Sequence, residues 1–194
     1  LEHYAAAPLP VGPLSFLLIA RLLKDKGIGE YVEAARRVKA NFPDTRFRLA
    51  GPIDPNPAAY KLPDVEAWVK EGIIDYLGPL SDVRPALAQC HVYVLPSYRE
   101  GTPRTVLEAM ATGRPVITTD APGCRQTVVE EENGFLVPVK DVEQLAKRMT
   151  HFIQNADALP VFGAKSREMA LGKFEAKAVA RNTADLILGT EHAG

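Results

Sequence analysis

Several features are scarce in this 194-residue sequence, and each scarcity excludes a class of protein. Basic and acidic residues nearly balance, so the net charge of −1 argues against a nucleic-acid-binding protein. No apolar run approaches the length that a membrane-spanning helix needs. The two cysteines, Cys90 and Cys124, lie far apart, which indicates free thiols in a reducing compartment.

The motifs of several common enzyme classes are also missing. The chain has no phosphate loop with a Lys-Ser/Thr pair, no Gly-x-Ser-x-Gly turn and no Asp-x-Asp pair. The stretch GIGEYV at 27–32 has two glycines of the dinucleotide-binding pattern but lacks the third. The histidines are scattered, and His91 opens a predicted core strand, which favours a structural role.

Short apolar runs alternate with helical patterns along most of the chain. Strands are predicted at 16–20, 46–51, 73–78, 92–97, 115–120 and 134–138. Helices are predicted at 29–41, 58–70, 82–89, 103–112, 124–131, 141–154, 157–171 and 174–188. This alternation predicts an α/β fold, namely a Rossmann-like, doubly wound sheet of six parallel strands with helices on both faces.

Ligands of such sheets bind beyond the carboxyl ends of the strands. The segments at that edge are 20–28, 51–57, 78–82, 97–103 and 120–124. In the fourth segment, Thr102 suits a helix N-cap and Pro103 suits the first helical position, while Thr112-Gly113 suits the helix end. The free N–H groups of this helix would then point at the ligand and favour a phosphate.

Two glutamates flank the start of this helix, Glu100 before it and Glu108 inside it. An ionised Glu accepts two hydrogen bonds and so matches the vicinal diol of a ribose or a sugar ring. Together they suggest a nucleotide diphosphate sugar, with phosphates between two diols. The alternative for Glu108 is a surface ion pair with Arg104 at spacing i,i+4.

Two cations follow the first strand, in the stretch ARLLKDKG. Arg21 and Lys26 could neutralise a diphosphate, because Arg binds two oxygens at once and Lys adds a point charge. The alternative is that both are ordinary surface residues.

These motifs together resemble the retaining glycosyltransferases of family 4, which have the GT-B fold. The resemblance rests on ARLLKDKG, GPLSD, LPS, EGTPRTVLE followed by AMATGRPVI, APGC and NGFLVPVKDVEQLA, in this order from about residue 14 to 188. It departs from the family at GPIDPNP, where a second glycine is common, and at Gln126, where a Glu is common.

The resemblance implies a role for each matching residue. Glu100 would contact the donor sugar, and Glu108 would hold the ribose of the nucleotide. Arg21 and Lys26 would bind the diphosphate as it leaves, so Arg21, Lys26 and Glu100 are the predicted catalytic residues. The other predicted donor-binding residues are Gly51, Leu80 near the base, Gly101, Thr102, Thr105 and Val106. Neither a metal nor a cofactor is expected, since the cations would offset the charge of the leaving group.

The resemblance also implies what surrounds this chain. Residues 1–13 are expected to be a linker, 14–188 the donor-binding domain and 189–194 a tail, with an N-terminal acceptor-binding domain missing. The isolated fragment is expected to be inactive. The donor would be a UDP-sugar or, alternatively, a GDP-sugar, used for hexosyl or N-acetylhexosaminyl transfer.

The acceptor would be a glycan or a lipid-linked glycan, in the synthesis of lipopolysaccharide, O-antigen or another bacterial surface polysaccharide. The expected location is the cytoplasm, at the inner face of the membrane through the missing domain. Two alternatives stay open: a nucleotide-sugar epimerase of the same fold, and a nucleotide-binding module without catalysis.

Overall fold

Six short strands form the centre of the molecule in a computed structural model, which describes residues 4–101 and 103–172. The strands are β1 (Ser15–Ile19), β2 (Arg46–Ala50), β3 (Asp75–Tyr76), β4 (Val92–Leu95), β5 (Val116–Thr119) and β6 (Gly134–Val137). They form one parallel sheet in the order β3-β2-β1-β4-β5-β6. The predicted six-stranded, doubly wound sheet is therefore confirmed.

Helices cover both faces of this sheet. They are α1 (Ile28–Lys39), α2 (Leu62–Lys70), α3 (Arg84–Ala88), α4 (Arg104–Ala111), α5 (Val142–Gln154) and α6, whose described part is 159–172. Phe16 and Leu18 of β1 pack against α1, α2 and α5, whereas Leu17 and Ile19 pack on the side of α3 and α4. Every residue of β1 is buried, which explains the run of four apolar residues that follows Ser15.

The segment predicted as a helix at 124–131 does not form one. It contains only a short 3₁₀ turn at Arg125–Thr127, after which Val128 is extended. The side chain of Asn133 donates to the carbonyl of Thr127 and accepts from the N–H of Val129, at 3.0 and 2.8 Å. These two bonds satisfy backbone groups that a helix would otherwise pair, so the prediction was wrong for a reason that lies outside the predicted segment.

Other boundaries differ from prediction by a few residues. The second helix begins at Leu62 instead of 58, because Ala59 forms a β-bridge with Leu23. A 3₁₀ turn at Ala156–Ala158 precedes α6. The predicted helix at 174–188 lies outside the described residues. Among those that are described, no helix is both long and apolar enough to cross a membrane.

The order of the strands reverses between β1 and β4, which are neighbours in the sheet but lie far apart in the sequence. At such a switch point the loops that follow the two strands lead in opposite directions and leave a crevice between them. Here those loops are residues 20–27 and 96–103. They hold most of the predicted catalytic and phosphate-binding residues.

Candidate functional site

The loops that follow β1 and β4 are joined by hydrogen bonds. The N–H of Tyr98 and the hydroxyl of Ser97 both donate to the carbonyl of Asp25, at 2.8 and 3.2 Å. Gly27, with φ of 71°, makes this packing feasible, because a Cβ there would lie 2.1 Å from the carbonyl oxygen of Pro96. The close packing fixes the position of one loop against the other.

This packing brings two of the predicted catalytic residues together. The Nζ atom of Lys26 lies 2.6 Å from Oε1 of Glu100, and both side chains are less than a fifth exposed. The loop after β5 supports the pair from behind, because the N–H of Glu100 donates to the carbonyl of Pro122 at 3.0 Å. Lys26 has three donors, so it can hold Glu100 and an oxygen of a bound anion together.

Arg21 lies at the open side of the same crevice. Its guanidinium donates to Oδ2 of Asp54 at 3.1 Å, a bond that uses one of its five N–H donors. The Arg21 side chain is 62% exposed, so it can turn toward a ligand at small cost. Asp54 belongs to GPIDPNP, the stretch that departs from the family pattern, and sequence reasoning did not identify it as a partner.

A cavity of about 160 Å³ opens between the two loops. Its walls are formed by Ile19, Ala20, Arg21, Lys26, Leu95, Glu100, Pro103, Arg104 and Thr105. Four predicted site residues therefore meet there. The buried Tyr93 anchors one wall, since its hydroxyl contacts Oγ1 of Thr105 at 2.7 Å and the carbonyl of Ile19 at 3.1 Å.

The start of α4 differs from the prediction. Pro103 has a ψ of 85°, so it precedes the helix, which begins at Arg104. The side chain of Val106 lies in the core, and its N–H donates to the carbonyl of Pro103 at 3.0 Å. Thr105 lines the cavity, and the predicted phosphate contact from the backbone near Val106 stays a prediction. Thr102 lies outside the described residues.

Glu108 is 8% exposed although it carries a charge. The predicted ion pair with Arg104 is present, with Nε 3.3 Å from Oε1. The two partners differ in exposure, because the Arg104 side chain is 89% exposed and that of Glu108 is 11% exposed. Glu108 is therefore not a simple surface residue, although its largely solvated partner keeps the contribution of the pair small.

A second cavity, of about 480 Å³, shares Arg104 with the first. It is lined by Tyr4, Ser81, Asp82, Arg84 and Arg104. Glu108 lines neither cavity, but it contacts Arg104, which lines both. Leu80 is half-buried against the core cluster that contains α4, next to Ser81 at the cavity wall.

The two glycines predicted at the site differ in their surroundings. Gly51, with φ of 141°, packs on the loop after β1, and a Cβ there would lie 1.8 Å from the carbonyl oxygen of Ala20. Its role in the described structure is to allow the close approach of these two backbone segments. Gly101 is exposed, and a Cβ there would meet nothing within 4 Å, so its backbone is accessible to a ligand.

Tyr98 stabilises the loop that carries Glu100. This residue was not identified from the sequence. Its hydroxyl donates to Oε1 of Glu30 at 2.6 Å, and Nζ of Lys140 lies 5.0 Å from the centre of its ring. Burial and the hydrogen bond to Glu30 raise the pKa of Tyr98 well above its usual value. The phenol is neutral at physiological pH and donates to Glu30.

The parallel sheet, its switch point and the lined crevice define a class of protein, a Rossmann-like α/β domain that binds ligands beyond the carboxyl ends of its strands. The family model described as glycosyl transferases group 1 matches residues 13–155. The chain belongs to this family.

Two curated relatives support the assignment. An N,N'-diacetylbacillosaminyl-diphospho-undecaprenol alpha-1,3-N-acetylgalactosaminyltransferase of Campylobacter jejuni is 33% identical over 72% of this chain and 35% of its own length. The putative colanic acid biosynthesis glycosyltransferase WcaL of Escherichia coli is 31% identical over 92% of this chain and 46% of its own length. The chain thus spans less than half the length of these relatives.

A solved structure shows the same fold. The pneumococcal O-GlcNAc transferase GtfA, in complex with UDP and GlcNAc, superimposes with a TM-score of 0.79 at 24% identity. The match covers 95% of this chain and 38% of that protein.

Proposed function

We propose that this chain is the donor-binding domain of a retaining glycosyltransferase of family 4 that uses a nucleotide diphosphate sugar. The observation that carries the proposal is the meeting of Arg21, Lys26, Glu100 and Thr105 around one cavity at the switch point of the sheet. Cations, a carboxylate and a hydroxyl in one crevice suit a ligand with both phosphates and sugar hydroxyls.

We assign the two cavities to different parts of the ligand. The diphosphate would lie in the smaller cavity between Arg21 and Lys26. The ribose would lie by Glu108, and the base would lie in the larger cavity beside Ser81 and Asp82. The support for this order is Arg104, which lines both cavities and contacts the proposed ribose carboxylate.

The donor sugar would lie next to Glu100. This carboxylate has two oxygens and about four acceptor positions, so it can accept from sugar hydroxyls while one oxygen stays on Lys26. Gly101 leaves room for the sugar at the backbone. Glu100 would thus orient the anomeric carbon toward the acceptor side of the crevice.

Cleavage of the donor places negative charge on the leaving diphosphate. Arg21 and Lys26 would stabilise this charge, and Arg104 borders the same cavity with its cation exposed. The side chain of Lys26 is mostly buried, where an interaction with the developing charge is stronger than in water. No metal ion is required in this scheme.

The relatives indicate the biological setting of the proposal. The name of the Campylobacter enzyme gives a lipid-linked acceptor and N-acetylgalactosamine transfer for that protein, and the E. coli relative is assigned to colanic acid synthesis. We therefore propose an N-acetylhexosamine or hexose donor and a lipid-linked or glycan acceptor in surface polysaccharide synthesis at the inner face of the membrane. Because GtfA binds UDP, a UDP-sugar is the first candidate and a GDP-sugar the second.

The acceptor site would lie on a second domain that faces the crevice, because the matched relatives are more than twice as long as the aligned part. We propose that this domain precedes the donor-binding domain and that 14–188 binds the donor without turning it over.

Calorimetry tests the donor site. UDP, GDP, UMP and uridine are titrated into the wild-type chain and into the variant Arg21→Ala. We expect the diphosphate to bind best and to lose roughly 1.5–3 kcal/mol in the variant, the usual contribution of a charged hydrogen bond, while uridine is unaffected. Equal losses for the diphosphate and the nucleoside would contradict the proposed phosphate contact.

A fusion to the acceptor domain of a family member tests the reaction. Transfer to an acceptor supports the proposed activity, and epimerisation of the sugar or mere binding would support the alternatives. Analysis of the product's anomeric configuration by NMR shows whether it is retained.

A further inference from the structure

The loop that follows β2 packs along the loop that carries Arg21. We call residues 51–61 the β2 loop. Two backbone hydrogen bonds at Leu22 join the two loops, since its N–H donates to the carbonyl of Pro52 at 3.1 Å and its carbonyl accepts from the N–H of Tyr60 at 2.8 Å. The course of the β2 loop is therefore fixed relative to the loop after β1.

Asp54 belongs to the β2 loop and is held there by its neighbours. Oδ1 of its carboxylate accepts from the N–H of Asn56 at 2.9 Å, and its carbonyl accepts from Nζ of Lys61 at 3.3 Å. The side chain is 14% exposed. Because one carboxylate oxygen is bound within the loop, the position of the other oxygen is fixed as well.

That other oxygen contacts Arg21. Oδ2 of Asp54 lies 3.1 Å from Nη1 of Arg21, whose side chain is largely exposed. The pair therefore joins a fixed acceptor to a flexible donor. A long side chain that binds a ligand loses rotamer freedom, and an existing contact with a fixed carboxylate removes part of this loss beforehand.

The contact with Asp54 leaves Arg21 at the cavity. Arg21 lines the 160 Å³ cavity in the same arrangement in which it is paired, and Asp54 does not line it. The carboxylate is thus kept from direct contact with a phosphate in the cavity. The guanidinium has five N–H donors, and the contact uses one of them, so the others can serve a phosphate.

We propose that Asp54 is a positioning residue for Arg21 and holds its guanidinium at the cavity for the diphosphate of the donor. The inference rests on the proposed function, since it takes Arg21 as a phosphate contact. It adds that binding of the diphosphate depends on the β2 loop. This loop contains GPIDPNP, the stretch in which the chain departs from the family pattern.

The variant Asp54→Asn tests the inference. Its amide oxygen can still accept from the N–H of Asn56, whereas the charge that holds Arg21 is removed. Calorimetry on the 194-residue chain compares UDP with uridine, or GDP with guanosine if the wild type prefers guanine. We expect Asp54→Asn to weaken the diphosphate by roughly two- to fivefold, the effect of a partly exposed ion pair, and to leave the nucleoside nearly unchanged.

A double-mutant cycle shows whether Asp54 acts through Arg21. In the Arg21→Ala background, Asp54→Asn should no longer weaken the diphosphate, because the side chain that Asp54 positions is gone. If Asp54 only stabilised its own loop, the substitution would weaken binding to the same extent in both backgrounds.

Glu130→Gln is the matched control. The Glu130 carboxylate also accepts from a backbone N–H, that of Leu136 at 2.8 Å, and pairs with an arginine, Arg148, at 2.7 Å. It lines neither of the two cavities described above. We expect Glu130→Gln to leave the affinity for both ligands unchanged.

Three results overturn the role of Asp54 while leaving the proposed function intact. They are unchanged binding by Asp54→Asn, an equal loss for both ligands or in both backgrounds, and tighter diphosphate binding, which would mean that Asp54 competes with the phosphates for Arg21. A wild-type chain that binds no nucleoside diphosphate, or an Arg21→Ala variant that binds it as tightly as the wild type, contradicts the proposed function itself.

Discussion

Replacing each glutamate of the crevice by glutamine should separate the two ends of the donor. Glu108→Gln removes the charge that would hold the ribose, which a bare nucleotide and a nucleotide sugar share. Both ligands should therefore lose about 1.5–3 kcal/mol, which is roughly a tenfold to 150-fold loss of affinity. Glu100→Gln should weaken only the sugar-bearing donor, by a similar amount.

The structure sharpens the expectation for Glu100. Lys26 lies 2.6 Å from this carboxylate, so the diphosphate must share the ammonium group with it. Neutralising Glu100 releases Lys26 from that pairing. The bare nucleoside diphosphate should consequently bind to Glu100→Gln as well as to the wild type, or slightly better, whereas the nucleotide sugar binds worse.

The stability of the two variants should differ as well. Glu108 faces a well-solvated Arg104, so its neutralisation should change the free energy of unfolding by no more than about 1 kcal/mol. The Lys26–Glu100 pair is mostly buried, and a half-broken pair there should cost about 1–3 kcal/mol. Urea titrations monitored by circular dichroism give both values.

Calorimetry with a nucleoside diphosphate and the corresponding nucleotide sugar decides the assignment. Glu71→Gln is the control, because Glu71 pairs with Arg36 on the surface at 2.7 Å, outside the two cavities described above. If Glu108→Gln bound both ligands as the wild type does, the ribose assignment would be refuted. If Glu100→Gln lost equal affinity for both ligands, Glu100 would not be specific to the sugar end.

Three further predictions concern the scaffold. Gly123→Ala should destabilise the protein in urea titrations by more than Gly72→Ala, since both have positive φ but only at Gly123 would the new Cβ meet backbone, 2.0 Å from the carbonyl oxygen of Glu100. Burial lowers the pKa of His91, so its contribution to stability should be full above about pH 6.5 and be lost as the pH falls through the lowered value. In thermal melts, the melting temperature of His91→Asn should depend less on pH in this range than that of the wild type. An unchanged pH dependence would refute this. Burial raises the pKa of Cys90 to about 12, so a thiol reagent at pH 8 should label it only as the chain unfolds, and rapid labelling would contradict its burial.

The alternation of strands and helices determined the class of fold. The central strands β1 and β4 are mostly apolar and fully buried because both faces of the sheet are covered, and this is visible in the sequence itself. The helix end at Thr112-Gly113 was also predictable, since Gly113 takes the positive φ of 83° that a left-handed turn requires. Such features depend on neighbours in the chain.

The ligand edge was predictable for a similar reason. Parallel strands joined by crossovers place all their carboxyl ends at one edge, so Arg21, Lys26 and Glu100 had to lie on the same side of the molecule. The contact between Lys26 and Glu100 was not predictable. Lys26 and Glu100 are 74 residues apart in the sequence. Their contact depends on the packing of two loops, which Gly27 makes possible.

The wrongly predicted helix at 124–131 and the fixed course of residues 4–13 both depend on contacts from outside the local segment. Asn133 stops the helix by binding backbone groups of Thr127 and Val129, a competition that local periodicity does not reveal. Residues 4–13 have the composition of a linker, but the buried Arg114, more than 100 residues away, binds the carbonyl of Pro8. The sequence by itself determined the layers, the edge and the residue types of the site. Only the tertiary structure decided which charged and polar groups meet, because those contacts join segments that are remote in the chain.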